Sequence, residues 1–149
     1  MKRRIDSPVG SLTLVASGDQ ITELNWGQAG DDRAPVLDAA ADQLAAYFSG
    51  QQKRFDLPLN PGGSPFQRAF YAALCAIPYG QTRTYGDLAR DLNVSAQAIG
   101  QACGANPIPI LIPCDRVLAA NGLGGYSGRG GVEAKVALLK LEGAASLLI

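Results

Sequence analysis

The sequence is 149 residues long, 47% hydrophobic and 17% charged, enough apolar material for one globular domain or two small lobes. It contains no histidine, which excludes Ser-His-Asp and Cys-His catalytic pairs, His-built metal sites and any imidazole base. Thirteen basic residues balance thirteen acidic ones; residues 1–62 hold 6 and 8 of them and residues 63–149 hold 7 and 5, a slight tilt toward an anionic partner for the second half.

MKRRIDSPVG opens the chain with basic residues but no apolar run behind them, and no stretch has membrane-spanning length, so neither export nor a membrane is expected. From Gly10 to Trp26, apolar and polar residues alternate on both sides of Gly18-Asp19, which predicts a hairpin of two half-buried strands. From Ala34 to Gly50, Leu37, Ala41, Leu44 and Phe48 recur at helical spacing, with Gly50 as the C′ residue. A short strand is expected at Phe55–Leu59, and Asn60-Pro61-Gly62-Gly63 then breaks all periodicity, giving units 1–62 and 63–149.

The second unit reads as mainly helical. Ser64 and Pro65 start a helix with Phe66, Phe70, Leu74 and Ile77 on one face. Thr84 caps another, with Asp87 at N3 and Leu88 and Leu92 inward. Ser95 caps a third after only Asn93-Val94, so this pair is either a helix-turn-helix or an ordinary αα-hairpin. A last helix is expected over Val132–Glu142, with Val136 and Leu139 to the core. The glycine cluster from Gly122 to Gly131 has no GxGxxG register and reads as a loop beside a site.

Cys75, Cys103 and Cys114 have no CxxC spacing, so neither a disulfide framework nor a four-ligand zinc site follows, and a reducing cytoplasm is expected. Asn106–Val117, NPIPILIPCDRV, reads as a buried strand that delivers one thiol into the polar Cys114-Asp115-Arg116 at a pocket edge. On its own, such a cysteine is either a small buried hydrophobe or a nucleophile.

Pro113-Cys114-Asp115-Arg116-Val117 resembles the Pro-Cys-His-Arg-Val motif of the O6-alkylguanine-DNA alkyltransferases, or methylated-DNA-protein-cysteine methyltransferases. IPYGQTRTYGDLA (77–89), GANPIPILIPC (104–114), GGYSG (124–128) and LLKLEG (138–143) are similar to that family's segments in the same order. The resemblance implies an α/β N-terminal lobe of RNase H-like form, a small antiparallel sheet plus a helix, followed by a mainly helical lobe with a winged helix-turn-helix. It implies a monomer that flips an O6-alkylated guanine out of double-stranded DNA through the minor groove and moves the alkyl group irreversibly to Cys114, without cofactor or metal.

By the same resemblance, Asn106 shapes the pocket, Val117, Tyr126 and Ser127 line it, and Glu142 matches the acid that orients the family's histidine. Tyr85 crowds the target phosphate, and Thr84, Ser95, Gln97 and Arg116 face DNA. Two positions depart from the family. Asp115 stands where the histidine takes the thiol proton, so weaker activation and a proton shared with Glu142 are expected. Gln97 replaces the arginine that fills the vacated base stack, so weaker DNA binding is expected. A lesion-binding relative that transfers nothing, and a diverged cysteine–carboxylate site acting on a non-DNA electrophile, are the alternatives.

Overall fold

The structure, a computed structural model that describes residues 1–120, 122, 124 and 131–144, opens on a three-stranded antiparallel sheet. Its strands are β1 (Lys2–Ile5), β2 (Leu12–Ser17) and β3 (Gln20–Trp26), in that spatial order. The expected hairpin is β2–β3, with Leu12 opposite Trp26 and Ser17 opposite Gln20. Leu12, Leu14 and Ala16 point inward from β2, as the alternation requires. Thr13 is also buried; its hydroxyl donates to Gly27 O and accepts from Ala29 N–H, which satisfies the group without water. β1 was not anticipated. Lys-Arg-Arg-Ile carries no strand-like run of apolar residues, and its cations suit an edge strand, where charge discourages further pairing.

α1 (Pro35–Phe48) packs across this sheet with Val36, Leu37, Ala40, Ala41, Leu44 and Tyr47 buried. Pro35 supplies the first turn, and Gly50, at φ 79°, takes the left-handed position after the helix. Leu37 and Leu44, both fully buried, each contribute about 1.5–3 kcal/mol of transfer free energy. The strand expected at Phe55–Leu59 does not form: only Leu59 bridges Ile21. Pro58 has no N–H for a ladder, and the Asp56 N–H goes to the side chain of Gln43 instead.

α2 (Pro65–Cys75) begins in a full capping box, Ser64 Oγ accepting from Gln67 N–H while Gln67 returns to Ser64 N–H. Phe70, Tyr71 and Leu74 form its buried face; the helix ends at Cys75, so Ile77 enters the core from the following turn. Thr84 and Asp87 make a second capping box at the start of α3 (Tyr85–Leu92), and Ser95 caps α4 (Ala96–Gly104). Asn93, at φ 57°, ends α3 in the left-handed conformation, so α3 and α4 pack against each other across a very short turn.

The apolar run before Cys114 is buried as expected, with Ile108, Ile110, Leu111 and Ile112 at 3% exposure or less, but it is not a strand. Pro107, Pro109 and Pro113 offer no donors, and the chain folds on itself: Ile112 N–H reaches Ile108 O at 2.9 Å and Leu111 N–H reaches Pro109 O at 2.9 Å. Ile110 sits at φ 72°, a conformation that β-branched residues resist. A 3-10 turn, Cys114–Arg116, follows, and then β5 (Val117–Leu118), which pairs in parallel with β4 (Arg83–Thr84). α5 (Gly131–Leu141) closes the described chain. It buries Ala134, Lys135, Leu138 and Leu139, whereas Val136 is only half-buried.

One apolar cluster runs from Leu12 in the sheet through α1, α2, α3 and α4 to Leu138 on α5. The small sheet with its helix and the helical part after it therefore share a core, and the 3-10 turn lies within it. No helix among the described residues is long and apolar enough to cross a membrane.

Candidate active site around Cys114

Asn106 fixes the loop that carries Cys114. Its side chain donates from Nδ2 to Ile112 O at 2.9 Å and accepts the Ile108 N–H at Oδ1, 3.0 Å, so one buried amide pins both ends of the prolyl segment. Cys114, 3% exposed, starts the 3-10 turn with its N–H on Ile112 O at 2.8 Å. Asp115 and Arg116 follow inside the protein at 1% and 7% exposure.

Burying two charged side chains in one turn is costly unless they are paired. Arg116 is paired: Nε donates to Glu142 Oε1 at 2.8 Å, Nη1 donates to Ile77 O at 2.7 Å, and the guanidinium lies 5.9 Å from the ring of Tyr79. The DNA contact expected of Arg116 is therefore not available to it; the residue is an internal counter-charge. Glu142, just past α5, also accepts a short hydrogen bond from the hydroxyl of Tyr47. Tyr79 donates to Leu141 O at 3.1 Å and packs edge-on against Tyr47.

Asp115 is placed differently. Its Oδ2 has no hydrogen-bond partner. Burial, then the negative charge of Glu142, push its carboxyl up to about 7, against the weaker pull of Arg116 and Lys135. The direction agrees with the expectation that two buried carboxylates here favour holding a proton, and it brings the Asp115 carboxyl toward the range of an imidazole. Glu142 spends its oxygens on Arg116 and Tyr47, while the proton affinity of Asp115 is raised by burial first and by the charge of Glu142 second.

Lys135, fully buried, donates from Nζ to Val117 O at 2.6 Å and lies 5.9 Å from the ring of Tyr85. Burial lowers its proton affinity, while the charges of Cys103, Cys114 and Asp115 raise it. The Cys103 thiol is pushed up to about 12, by burial first and by the charge of Cys114 second.

Of the other anticipated residues, Val117 is fully buried in β5 and Tyr85 is half-buried at the start of α3. Gly124, at φ 70°, lies so close to Tyr85 that a Cβ there would meet its ring and hydroxyl at 2.8 Å. Thr84 and Ser95 are engaged as helix caps, and Gln97 is exposed on the first turn of α4. Tyr126 and Ser127, with most of the glycine loop, lie outside the described residues. A cleft of about 560 Å3 lies next to the turn, lined by Lys53, Tyr79, Pro113 and Arg116 among others but not by Cys114.

Nothing in the pattern of the sequence placed Tyr47, Tyr79 or Cys103 at the site, because their neighbours there lie on other elements. Lys135 carried a signal, because it sits between Ala134 and Leu138 on the inward face of α5, seven residues before Glu142.

Fold and site together define a protein of two parts, a small sheet with its helix and a helical part whose innermost turn holds a cysteine beside a buried carboxylate. Residues 65–144 match the family described as 6-O-methylguanine DNA methyltransferase, DNA binding domain, and residues 1–61 match 6-O-methylguanine DNA methyltransferase, ribonuclease-like domain. The chain belongs to the 6-O-methylguanine DNA methyltransferase family. It is 42% identical to the methylated-DNA--protein-cysteine methyltransferase of Mycobacterium tuberculosis, across 94% of this chain and 90% of that protein. The enzyme of the same name from Methanosarcina acetivorans is 40% identical over 93% of this chain and 95% of its own. Among solved structures, Mycobacterium tuberculosis OGT in complex with DNA superposes with a TM-score of 0.86 and 43% identity, covering 97% of this chain and 93% of that one.

Proposed function

We propose that this protein repairs DNA by moving the alkyl group of an O6-alkylated guanine irreversibly onto Cys114. The observation that carries the reading is the 3-10 turn itself, which holds Cys114 next to a buried carboxylate with an unpartnered oxygen, in a chain of this family. The thiol proton passes to Asp115 Oδ2, the thiolate attacks the alkyl carbon, the S–C bond forms as the C–O6 bond breaks, and the guanine anion left in the DNA is neutralised by the proton that Asp115 returns. No cofactor enters, and because the thioether is stable, each molecule reacts once.

Glu142, held by Arg116 and Tyr47, adds its charge to the effect of burial in raising the proton affinity of Asp115, so it positions rather than reacts. Asn106 holds the loop at the mouth of the pocket, and Val117, Tyr126 and Ser127 line it, with Ser127 donating to the guanine O6. On the DNA side, α3 and α4 act as a helix-turn-helix, with β4–β5 as its wing, laid along the minor groove. Tyr85 crowds the phosphate of the target nucleotide, Gln97 enters the vacated stack, and Thr84 and Ser95 hold the N-termini of the two helices at the backbone. The protein works as a monomer in the cytoplasm, with an RNase H-like unit over residues 1–62 and the alkyl-accepting unit over 63–149.

The test is stoichiometry. With excess duplex DNA carrying one labelled O6-methylguanine, label on the protein should rise to one methyl per chain and stop, and Cys114→Ala should take up none. Tight binding of the lesion without transfer would place the chain among proteins that only recognise it, and indifference to the DNA would point to another electrophile.

A further inference from the structure

The cleft of about 560 Å3 beside the 3-10 turn takes no part in the transfer, because Cys114 does not line it. It lies where the two parts of the chain meet: Lys53 and Arg54 come from the segment after α1, Cys75 and Tyr79 from the end of α2 and the turn beyond it, and Pro113 and Arg116 from the segment around the cysteine. Its size suits a small organic molecule. Apolar side chains such as Phe55 and Leu111 make up much of the wall, yet the charged residues that line it, Lys53, Arg54 and Arg116, are all cations, with no Asp or Glu among the described lining residues. The polar hollow beside β1 differs, because Arg3, Arg4 and Arg33 there already pair with Asp31 and Asp38.

Arg116 shows where an anion would bind. Nε of its guanidinium goes to Glu142 Oε1 and Nη1 to Ile77 O, whereas Nη2 makes no hydrogen bond among the described residues, although the side chain is only 8% exposed. Nη2 is not sealed inside, since Asp115 Oδ2 is the one fully buried side-chain polar atom without a partner among the described residues. A guanidinium nitrogen on the floor of a largely apolar cleft therefore lacks an acceptor that a ligand can supply. Lys53 and Arg54 stand exposed at the rim and form no ion pair among the described residues. The ring of Tyr79 lies between rim and floor, 5.6 Å from Lys53 Nζ and 5.9 Å from the Arg116 guanidinium.

We infer that this cleft is a binding site for a small organic carboxylate with a flat apolar body. The carboxylate accepts from Arg116 Nη2, a planar donor suited to it, and the charges of Lys53 and Arg54 hold it from the rim. The body of the ligand lies against the rings of Tyr79 and Phe55, so apolar surface and charge are both needed for affinity. The site is separate from the thiol, and the inference does not rest on the repair reading.

Cys75 lines the cleft and is exposed, so its reactivity reports occupancy. The full-length protein is treated with iodoacetamide in the presence of naphthoate, of neutral naphthamide or of inorganic phosphate, and alkylation of each cysteine is followed by peptide mass spectrometry. Naphthoate should slow the reaction of Cys75 saturably, with half the effect at a concentration about tenfold or more below that needed for naphthamide or phosphate. In the double variant Lys53→Gln/Arg54→Gln, changed only at exposed positions away from Cys114, the naphthoate concentration required should rise about tenfold or more while alkylation of Cys114 in the absence of ligand stays as in the native protein. Equal protection by naphthoate and naphthamide, or by naphthoate and phosphate, overturns the inference. So do an unchanged naphthoate response in the double variant, protection confined to Cys114, and no protection of Cys75 at all.

Discussion

The hydroxyl of Tyr47 on α1 donates to Glu142 Oε2 just past α5, joining residues 95 positions apart and tying the sheet-bearing part of the chain to the acid behind the cysteine. Both residues are buried, so the bond is made where an unpaired carboxylate oxygen is costly. Tyr47→Phe keeps the ring and its packing on Phe55 and Tyr79 while removing the donor. It should lower unfolding stability by about 1–3 kcal/mol, read from urea denaturation, and slow alkyl transfer while leaving DNA affinity unchanged.

Asp115 should leave a pH signature on stability. Its proton affinity in the folded protein is raised from 3.8 to about 7, so between these values the native state holds a proton that the unfolded chain has released. The contribution is full below about pH 4 and is lost as pH rises through 7. Asp115→Asn removes this titration, and the difference between native and variant should change by a few kcal/mol, on the order of 2–4, between pH 4 and pH 8. The same substitution should slow alkyl transfer by about 10²–10⁴-fold and flatten its rise with pH near 7.

What the sequence made legible was the set of local signals. Ser64, Thr84 and Ser95 cap the helices they were expected to cap, because capping is decided within three or four residues. β1 and the supposed strand at Phe55–Leu59 were misread for the converse reason. Pairing with β2 makes a strand of Lys-Arg-Arg-Ile, and Pro58 denies one to a more apolar run. At the site, Cys114 and Asp115 were visible as neighbours in a motif. The proton affinity of Asp115 was not, because it depends on burial and on Glu142.

Gly124 and Tyr85 make a prediction about backbone. A methyl group at Gly124 would sit 2.8 Å from the tyrosine ring and hydroxyl, at a φ of 70° that alanine adopts with strain. Gly124→Ala should displace Tyr85 and reduce alkyl transfer from duplex DNA more than it reduces the iodoacetamide reaction of Cys114. Equal reductions would show that the contact serves the thiol rather than the target nucleotide.

Gln97, exposed on α4, gives the simplest gain of function. If Gln97 enters the vacated stack as proposed, Gln97→Arg adds a cation and length there, so affinity for duplex DNA should rise and its dependence on salt should steepen by about one unit in the slope of log K against log salt. Fluorescence anisotropy at several salt concentrations measures both; an unchanged slope would remove α4 from the DNA interface.

The most direct test of the account is to locate the transferred group. After reaction with duplex DNA containing O6-methylguanine, peptide mass spectrometry should find one added methyl on Cys114, with Cys75 and Cys103 unmodified, and no methyl on Cys114 in Asp115→Asn over the same interval. A methyl on Cys75 or Cys103, or a Cys114 that stays unmodified while the lesion disappears, would contradict it.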